Sequence, residues 1–201
     1  MAISSRSASA RERILDTAAR LFYEHGYHSV GIDRIIAESG VAKMTLYHHF
    51  ASKDDLIVAA LQQMDKEFWR WMDLKINSAK SPRDKLIAIF TATQKLASSP
   101  ECLGCAFQAA ASDFPDKQHL NHQAALAHKQ EVLSRLTGLA REAKLLRPGQ
   151  LAQQLLLLMD GAWASARMYG AGGPAKEIIA AARALIDAHT PLARKKDGIQ
   201  S

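Results

Sequence analysis

The amino-acid sequence predicts an all-helical protein, and three observations lead to that prediction. No segment shows the sustained alternation of polar residues with Val, Ile or Thr that marks β-strands. Hydrophobic residues make up 48% of the 201 residues, whereas aromatic residues make up only 6%. Apolar residues recur at three- and four-residue spacing between Ser, Gly and Pro punctuation, which predicts about nine helices.

The first helix is predicted to begin after Ser9. Ser9 and Glu12 have the spacing of a capping box, in which the Ser hydroxyl accepts an early N–H and the Glu carboxylate returns to the Ser amide. Ile14 and Leu21 belong to an apolar stripe along one side of this helix. Gly26 is expected to end the helix as a left-handed cap.

Two short helices are predicted next. The second covers residues 32–39, Gly40 breaks the chain, and a third helix of about seven residues starts at Ala42. Leu46 and Phe50 are the apolar anchors of the third helix, so its opposite side is expected to face solvent. A short helix braced by two others is the helix-turn-helix pattern, which presents a rigid, donor-rich helix to the major groove of DNA.

A long connecting helix is predicted after Ser52, because Ser52 and Asp55 repeat the capping-box spacing. Lys53 lies at its start, where free N–H groups and a cation together favour a phosphate. Ser81 and Pro82 begin the following helix, with Ser at the cap and Pro in the first turn. The breaks expected between later helices are Pro100, residues 114–116, residues 147–149, residues 170–174 and Pro191.

The charge of the chain favours an anionic partner only weakly. The formal net charge is +6, but residues 1–56 contain seven Lys and Arg against seven Asp and Glu. Support for DNA binding must therefore come from where single charges lie. Arg6, Arg11 and Arg13 form either a basic arm or a solvated tail. Because the sequence has no run of eighteen apolar residues and no apolar signal segment, we expect a cytoplasmic protein without a membrane span.

The segment GIDRIIAESGVAKMTLYHHFASKDDL resembles the DNA-binding signature of TetR-family transcriptional repressors, and LYHHF followed by SKDDL is its most specific part. GCAFQAAASDFPD and LLLLMDGA are similar to the C-terminal domain of many members. The resemblance implies a helix-turn-helix DNA-binding domain at residues 1–55. Residues 1–8 of this domain are polar and small, so we expect them to form a disordered arm. It also implies a larger helical domain for ligand binding and dimerisation at residues 56–201.

The function implied by this resemblance is a ligand-responsive repressor that acts as a homodimer on a palindromic operator of double-stranded DNA. No cofactor is expected beyond an unidentified small-molecule effector. The family pattern assigns DNA contacts to Lys43, Thr45, Tyr47, His48, His49 and Lys53. Met44 stands where Gly is common in the family, and we expect it to make an apolar contact, for example with a thymine methyl.

Two further departures from the family pattern and two alternative interpretations accompany that assignment. Ala42 and Gly31 stand where the family often has Ser or Thr, which removes two possible phosphate contacts. Tyr47 and His48 could instead pack in the core or bind a metal ion. Adjacent histidines in a helix point about 100° apart and rarely share an ion, which disfavours the metal interpretation.

Other functions remain open at this stage. Cys102 and Cys105, alone or with His119, His122 and His128, suggest a regulator of the same fold that is switched by a metal or by thiol oxidation. An all-helical enzyme is disfavoured, since we find no Ser–His–Asp pattern that can be placed, no phosphate loop and no HExxH. An activator without a ligand is a further alternative, in which the C-terminal domain would be fully packed.

The C-terminal domain is expected to hold a small, mostly apolar ligand, although ordinary core packing is the alternative for each residue. The helix within residues 151–168 is apolar on more than one face, and its alanines, with those of the last helix, predict a four-helix dimer interface. Asp113 and Asp160 are candidate polar contacts to the ligand. The candidate pocket residues are Phe68, Met72, Phe90, Phe107, Gln108, Phe114, Met159 and Trp163.

Overall fold

The computed structural model describes residues 8–191, and these residues form nine α-helices and no β-strand. The all-helical prediction is therefore confirmed. Two 3₁₀ turns, Gly170–Gly172 and Pro174–Glu177, precede the last helix. The helices are α1 (Ala10–His25), α2 (Ile32–Ser39), α3 (Lys43–His49), α4 (Lys53–Ile76), α5 (Pro82–Ala97), α6 (Ala106–Asp113), α7 (Leu120–Glu142), α8 (Pro148–Tyr169) and α9 (Ile178–Ala188).

The described chain forms two compact units. The first comprises residues 8–73 and 103–131, and the second comprises residues 74–102 and 132–191. The helix-turn-helix pattern, α6 and the first half of α7 thus belong to one unit. The division into functional domains at residue 56 stays a prediction. Of the predicted arm at residues 1–8, only Ala8 lies within the described residues.

The first unit is built on an apolar core shared by α1, α2 and α3, which pack on one another. Ile14, Phe22 and Ile35 are fully or almost fully buried there, together with Leu46 of α3. The same core includes side chains from α6 and α7, among them Phe107. The three-residue and four-residue spacing of apolar positions along α1 is what places one side of that helix in the core.

The ends of α1 follow the sequence closely. Ser9 Oγ accepts from the Glu12 amide at 3.2 Å, and Glu12 Oε2 accepts from the Ser9 amide at 2.7 Å, which completes the predicted capping box. These bonds to Ser9 hold the pKa of Glu12 below its usual range. Gly26 has φ +86° but ψ 158°, so it ends α1 without the left-handed helical conformation that the sequence suggested. The chain consequently leaves α1 in an extended direction.

The second unit is organised around α5, α8 and α9, which pack on one another. Ser81 Oγ accepts from the Asp84 amide at 3.1 Å and Pro82 is the first residue of α5, as predicted. Arg83 of α5 forms an ion pair with Asp187 of α9. No helix within residues 8–191 is long and apolar enough to cross a membrane.

Candidate nucleic-acid interface

Helix α3 is held in place by one apolar side chain at its centre and by two that flank it. Val41, Leu46 and Phe50 are all buried, and Leu46 has no exposed surface. Ala42 precedes the helix and supplies no side-chain cap, which agrees with its departure from the family pattern. A seven-residue helix without a cap has little stability of its own, so its anchors in the core determine its position.

The rest of α3 faces solvent. Met44 is 80% exposed and Tyr47 is 43% exposed, which are large values for apolar and aromatic side chains. Lys43, His48 and His49 are also exposed, and Thr45 is half-buried. Because residues three and four apart share a helix face, Lys43, Met44 and Tyr47 present one continuous surface. Their assignment as DNA contacts stays a prediction.

The two histidines at the end of α3 are exposed and do not belong to the core. The rings of His48 and His49 lie edge to face with centroids 5.3 Å apart, and both side chains are exposed. The ring of His49 is 6.4 Å from that of Phe50. The core-packing alternative therefore does not apply to either histidine.

Two charged side chains of neighbouring helices, Asp33 of α2 and Arg11 of α1, lie beside α3. Lys43 Nζ lies 3.2 Å from Asp33 Oδ1 of α2, in an ion pair that solvent screens because both side chains are well exposed. The guanidinium of Arg11 lies 5.3 Å from the ring centroid of Phe50, in cation–π geometry. The Arg11 guanidinium thus lies beside the end of α3, whereas Arg6 lies outside the described residues.

Lys53, at the start of α4, has an intramolecular partner. Its Nζ donates to the carbonyl oxygen of His28 at 3.3 Å, and its side chain is partly buried beside Asp54 and Asp113. Burial lowers the pKa of Lys53, and the two carboxylates act in the opposite direction. Its predicted contact with a phosphate would compete with the bond to His28.

Comparison with known proteins bears on this arrangement. Residues 14–60, which include most of α1 and all of α2 and α3, match the family model of bacterial regulatory proteins of the tetR family. A TetR-family transcriptional regulator from Streptomyces coelicolor is 34% identical, and the match covers 90% of this chain and 96% of that one with a TM-score of 0.85. The chain belongs to the TetR family of transcriptional regulators. It is therefore a DNA-binding, helix-turn-helix protein.

Two further relatives extend the match beyond the helix-turn-helix. A TetR-family regulator from Streptomyces avermitilis is 30% identical, with a TM-score of 0.82 and coverage of 90% of this chain and 98% of that one. The HTH-type transcriptional repressor KstR2 of Mycolicibacterium smegmatis is 28% identical over 176 residues, which is 85% of this chain and 84% of that protein. The similarity to the TetR family thus includes the C-terminal helices.

The predicted pocket residues of this TetR-family chain fall in both compact units. Phe90, Met159 and Trp163 are buried in the second unit. In the first unit, Phe107 and Met72 are buried, and Phe68 and Gln108 are half-buried. The remaining pocket residue, Phe114, is buried as well and belongs to the apolar core that supports α1, α2 and α3. A ligand pocket among these residues stays a prediction.

A buried histidine that the sequence suggested only as a metal ligand lies among these aromatic residues. The His128 ring stacks on Phe107 with centroids 3.7 Å apart and an angle of 7° between the planes. It also meets the Phe68 ring edge-on at 5.2 Å. His128 Nδ1 lies 2.6 Å from Asp65 Oδ1 of α4, so the imidazole is oriented by a carboxylate. A polar pair in aromatic surroundings is the type of group that orients a bound ligand.

The described part of the chain contains no cluster of side chains that would support the metal-switch alternative. Within residues 8–191, no group of three or more His, Cys, Asp or Glu side chains is placed to hold a metal ion. His122 Nδ1 bonds to the Phe114 carbonyl at 2.8 Å, and His119 precedes α7 and stacks on the Phe114 ring at 4.7 Å. Cys102 and Cys105 are both free thiols of intermediate exposure.

Sequence reasoning missed the residues that join the end of α1 to α6. Tyr23, Tyr27 and His28 bond to residues about 80 positions away, and neither helical periodicity nor a motif signals such pairs. The only hint was Asp113, which we predicted as a polar contact to a ligand. Its carboxylate accepts from the Tyr27 amide at 3.0 Å, and its contact with a ligand stays a prediction.

Proposed function

We propose that this protein is a cytoplasmic repressor that binds a palindromic operator as a homodimer and leaves it when a small effector binds. The observation that carries the proposal is the exposed face of α3. Its apolar and aromatic members, Met44 and Tyr47, have no role in the core and gain a partner when the helix enters the major groove. The relative KstR2 is described as a repressor, which favours repression over activation.

The proposed DNA contacts divide into two kinds. We assign Met44, Thr45 and Tyr47 to base edges, while Lys43 and the two histidines suit the phosphate backbone. The ion pair of Lys43 with Asp33 is exposed, so exchanging the carboxylate for a phosphate requires little desolvation. This exchange explains how a formally neutral DNA-binding segment can still bind a polyanion.

The proposed dimer interface is the exposed side of α8 and α9. Leu157 and Met168 are 73% and 74% exposed, and Gly161 and Ala164 lie between them on the same side of α8. Small residues between two large apolar ones allow a second helix to approach closely. Of the α8 alanines suggested by the sequence, Ala162 and Ala166 are buried, so only Ala164 lies on this surface. On α9, Ala180 and Ala184 are exposed.

We propose the surroundings of His128 as the part of the C-terminal domain that recognises the polar group of the effector. The stacked Phe107 and the half-buried Phe68 supply apolar contact area, and the pair of His128 with Asp65 supplies hydrogen-bonding capacity. These features fit a mostly apolar molecule that carries one polar group.

The experiment that tests DNA binding starts from a random duplex library, because the operator is unknown. The full-length protein should enrich a palindromic duplex with two half-sites. Tyr47→Ala should weaken binding to that duplex roughly tenfold without a change in helicity or dimerisation. Tyr169→Ala is the matched control, since Tyr169 is 63% exposed but lies at the end of α8. Enrichment of no sequence by the wild-type protein would contradict the proposal.

Dimerisation is tested separately by Ala164→Glu. This change places a charge between two copies of α8, so we expect a monomer by light scattering at micromolar concentration. Gln130→Glu, at an exposed position of α7, tests whether an added charge outside α8 and α9 has the same effect. A dimer that persists in Ala164→Glu would show that another surface is used.

A further inference from the structure

The turn that follows α1 is joined to both ends of α6. The Tyr27 amide donates to Asp113 Oδ2 at 3.0 Å, and Asp113 is the last residue of α6. The Tyr27 hydroxyl donates to the carbonyl oxygen of Ala106 at 3.0 Å, and Ala106 is the first residue of α6. One residue therefore spans the whole of an eight-residue helix, with its backbone at one end and its side chain at the other.

Neighbours of Tyr27 strengthen both attachments. At the start of α6, the Tyr23 hydroxyl donates to the Gly104 carbonyl at 3.2 Å and accepts from the Leu103 amide at 2.7 Å. At the end of α6, His28 Nε2 donates to the Asp113 carbonyl at 2.6 Å. Together, five hydrogen bonds connect residues 23–28 to residues 103–113.

The position of Asp113 is not explained by the stability of α6. A carboxylate at the C-terminal end of a helix meets the negative end of the helix dipole, which disfavours it. Asp113 has a partner outside its own helix, the amide of Tyr27, which follows the bond from the Gly26 amide to the Phe22 carbonyl that ends α1. The carboxylate thus serves the turn after α1, and its unfavourable place in α6 is the consequence.

The position of the turn after α1 determines where α2 and α3 lie. Tyr27 is fully buried, and its ring stacks on Phe22 at 5.4 Å within the core that also seats Leu46 of α3. Only residues 26–31 connect α1 to α2. Lys53 Nζ binds the His28 carbonyl, so the start of α4 holds the same turn from another direction. A shift of this turn would displace the scaffold of α3.

We propose that Tyr27 and Asp113 are positioning residues for DNA recognition. Helix α6 acts as a brace that holds residues 26–28 in the form that presents α3 to the major groove. Neither residue touches DNA, so each acts through the orientation of α3. This inference rests on the proposed function, in which α3 reads the operator.

The test uses the full-length protein and three variants. Tyr27→Phe removes only the hydroxyl bond to Ala106, Asp113→Ala removes the acceptor for the Tyr27 amide, and Asp113→Asn keeps an acceptor. Asp116→Ala is the control, because it removes an exposed carboxylate that bonds only locally, to the Gln118 amide. Affinity is measured for the duplex enriched by the wild-type protein and for an unrelated duplex of equal length. The active fraction is determined by stoichiometric titration.

We expect Tyr27→Phe and Asp113→Ala each to weaken binding to the enriched duplex about tenfold, the size of effect for one buried hydrogen bond. Binding to the unrelated duplex should not change, and Asp113→Asn should retain most of the affinity. A structural role alone would lower the active fraction and leave the corrected affinity intact. Unchanged affinity in both variants, or an equal loss for both duplexes, overturns the proposal.

Hydrogen exchange gives a readout that does not depend on DNA. If α6 braces the turn, Tyr27→Phe should accelerate amide exchange in α2 and α3 at least about fivefold relative to α5. Acceleration confined to α6 overturns the inference even if the wild-type protein enriches no duplex, so its failure is distinct from failure of the proposed function. Asp113→Ala provides the same measurement should Tyr27→Phe not fold.

Discussion

Helices α3 and α6 belong to the same compact unit and have nearly the same length, seven and eight residues, yet they are supported in different ways. Neither has a side-chain N-cap. The apolar anchors Leu46 and Phe50 hold α3, and this support leaves its exposed face open to solvent. Helix α6 also buries Phe107 in the core, and in addition hydrogen bonds from residues outside the helix hold both of its ends. Helices this short are not stable alone, so the kind of support determines which of their surfaces remains available.

The first prediction breaks the support of α3 and has the largest expected effect. Leu46 has no exposed surface, so Leu46→Ala should lower the free energy of unfolding by about 2–5 kcal/mol. Urea denaturation at fixed protein concentration measures this loss. Met44→Ala, on the exposed side of the same helix, should change stability by no more than about 0.5 kcal/mol. Equal losses in the two variants would contradict the assignment of faces.

The same contrast explains what the sequence could predict. The four-residue spacing of Leu46 and Phe50 is a local pattern, and it places the exposed face of α3 by elimination. The support of α6 depends on pairs such as Tyr27 and Asp113, which are 86 residues apart. No local pattern encodes that pair, because its geometry arises only after α6 packs beside α1. Sequence reasoning accordingly found the recognition helix and missed its brace.

Phe114 illustrates the same limit for the predicted pocket. Its apolar character suggested a ligand contact, which stays a prediction, and its ring lies 4.7 Å from the ring of His28 and 4.7 Å from that of His119. An aromatic residue between packed segments can line a cavity or fill the space between them, and composition does not distinguish these roles. The distinction requires knowledge of which elements meet.

The second prediction concerns the support of α6 through Tyr27. Burial is the main factor that raises the pKa of the Tyr27 phenol, and the nearby Cys105 and Asp113 add to it. The folded state therefore favours the neutral phenol, and its stabilising contribution is complete below the unfolded pKa of about 10. Above that pH the unfolded state releases the proton first, so the free energy of unfolding should fall by about 1.4 kcal/mol per pH unit.

Chemical denaturation at several pH values from about 9 to about 11 measures this fall, because that range brackets the unperturbed tyrosine pKa of about 10. Tyr27→Phe should remove most of the alkaline dependence, whereas Tyr169→Phe should retain it because Tyr169 is exposed. A slope that is the same in Tyr27→Phe and in the wild-type protein would show that another group controls alkaline stability.

The third prediction concerns the open face of α3 and its effect on sequence preference. If Met44 contacts a thymine methyl, deoxyuridine in place of that thymine removes an apolar contact of about 0.8 kcal/mol, or roughly fourfold in affinity. Met44→Ala should bind the two duplexes equally. Substitution of each thymine of the enriched duplex in turn locates the position, and a fourfold loss that persists in Met44→Ala would assign the methyl contact to another residue.

The fourth and smallest effect separates the two roles of Lys53. If its Nζ reaches a phosphate, Lys53→Gln should weaken binding to all duplexes alike and reduce the slope of log affinity against log salt by about one. If its main partner is the His28 carbonyl, the slope should stay constant while the enriched duplex alone loses affinity, since the turn after α1 has lost one of its supports. Lys66→Gln, at an exposed position of α4, controls for the loss of one charge. A constant slope would place Lys53 with the brace of α6 rather than with the face of α3.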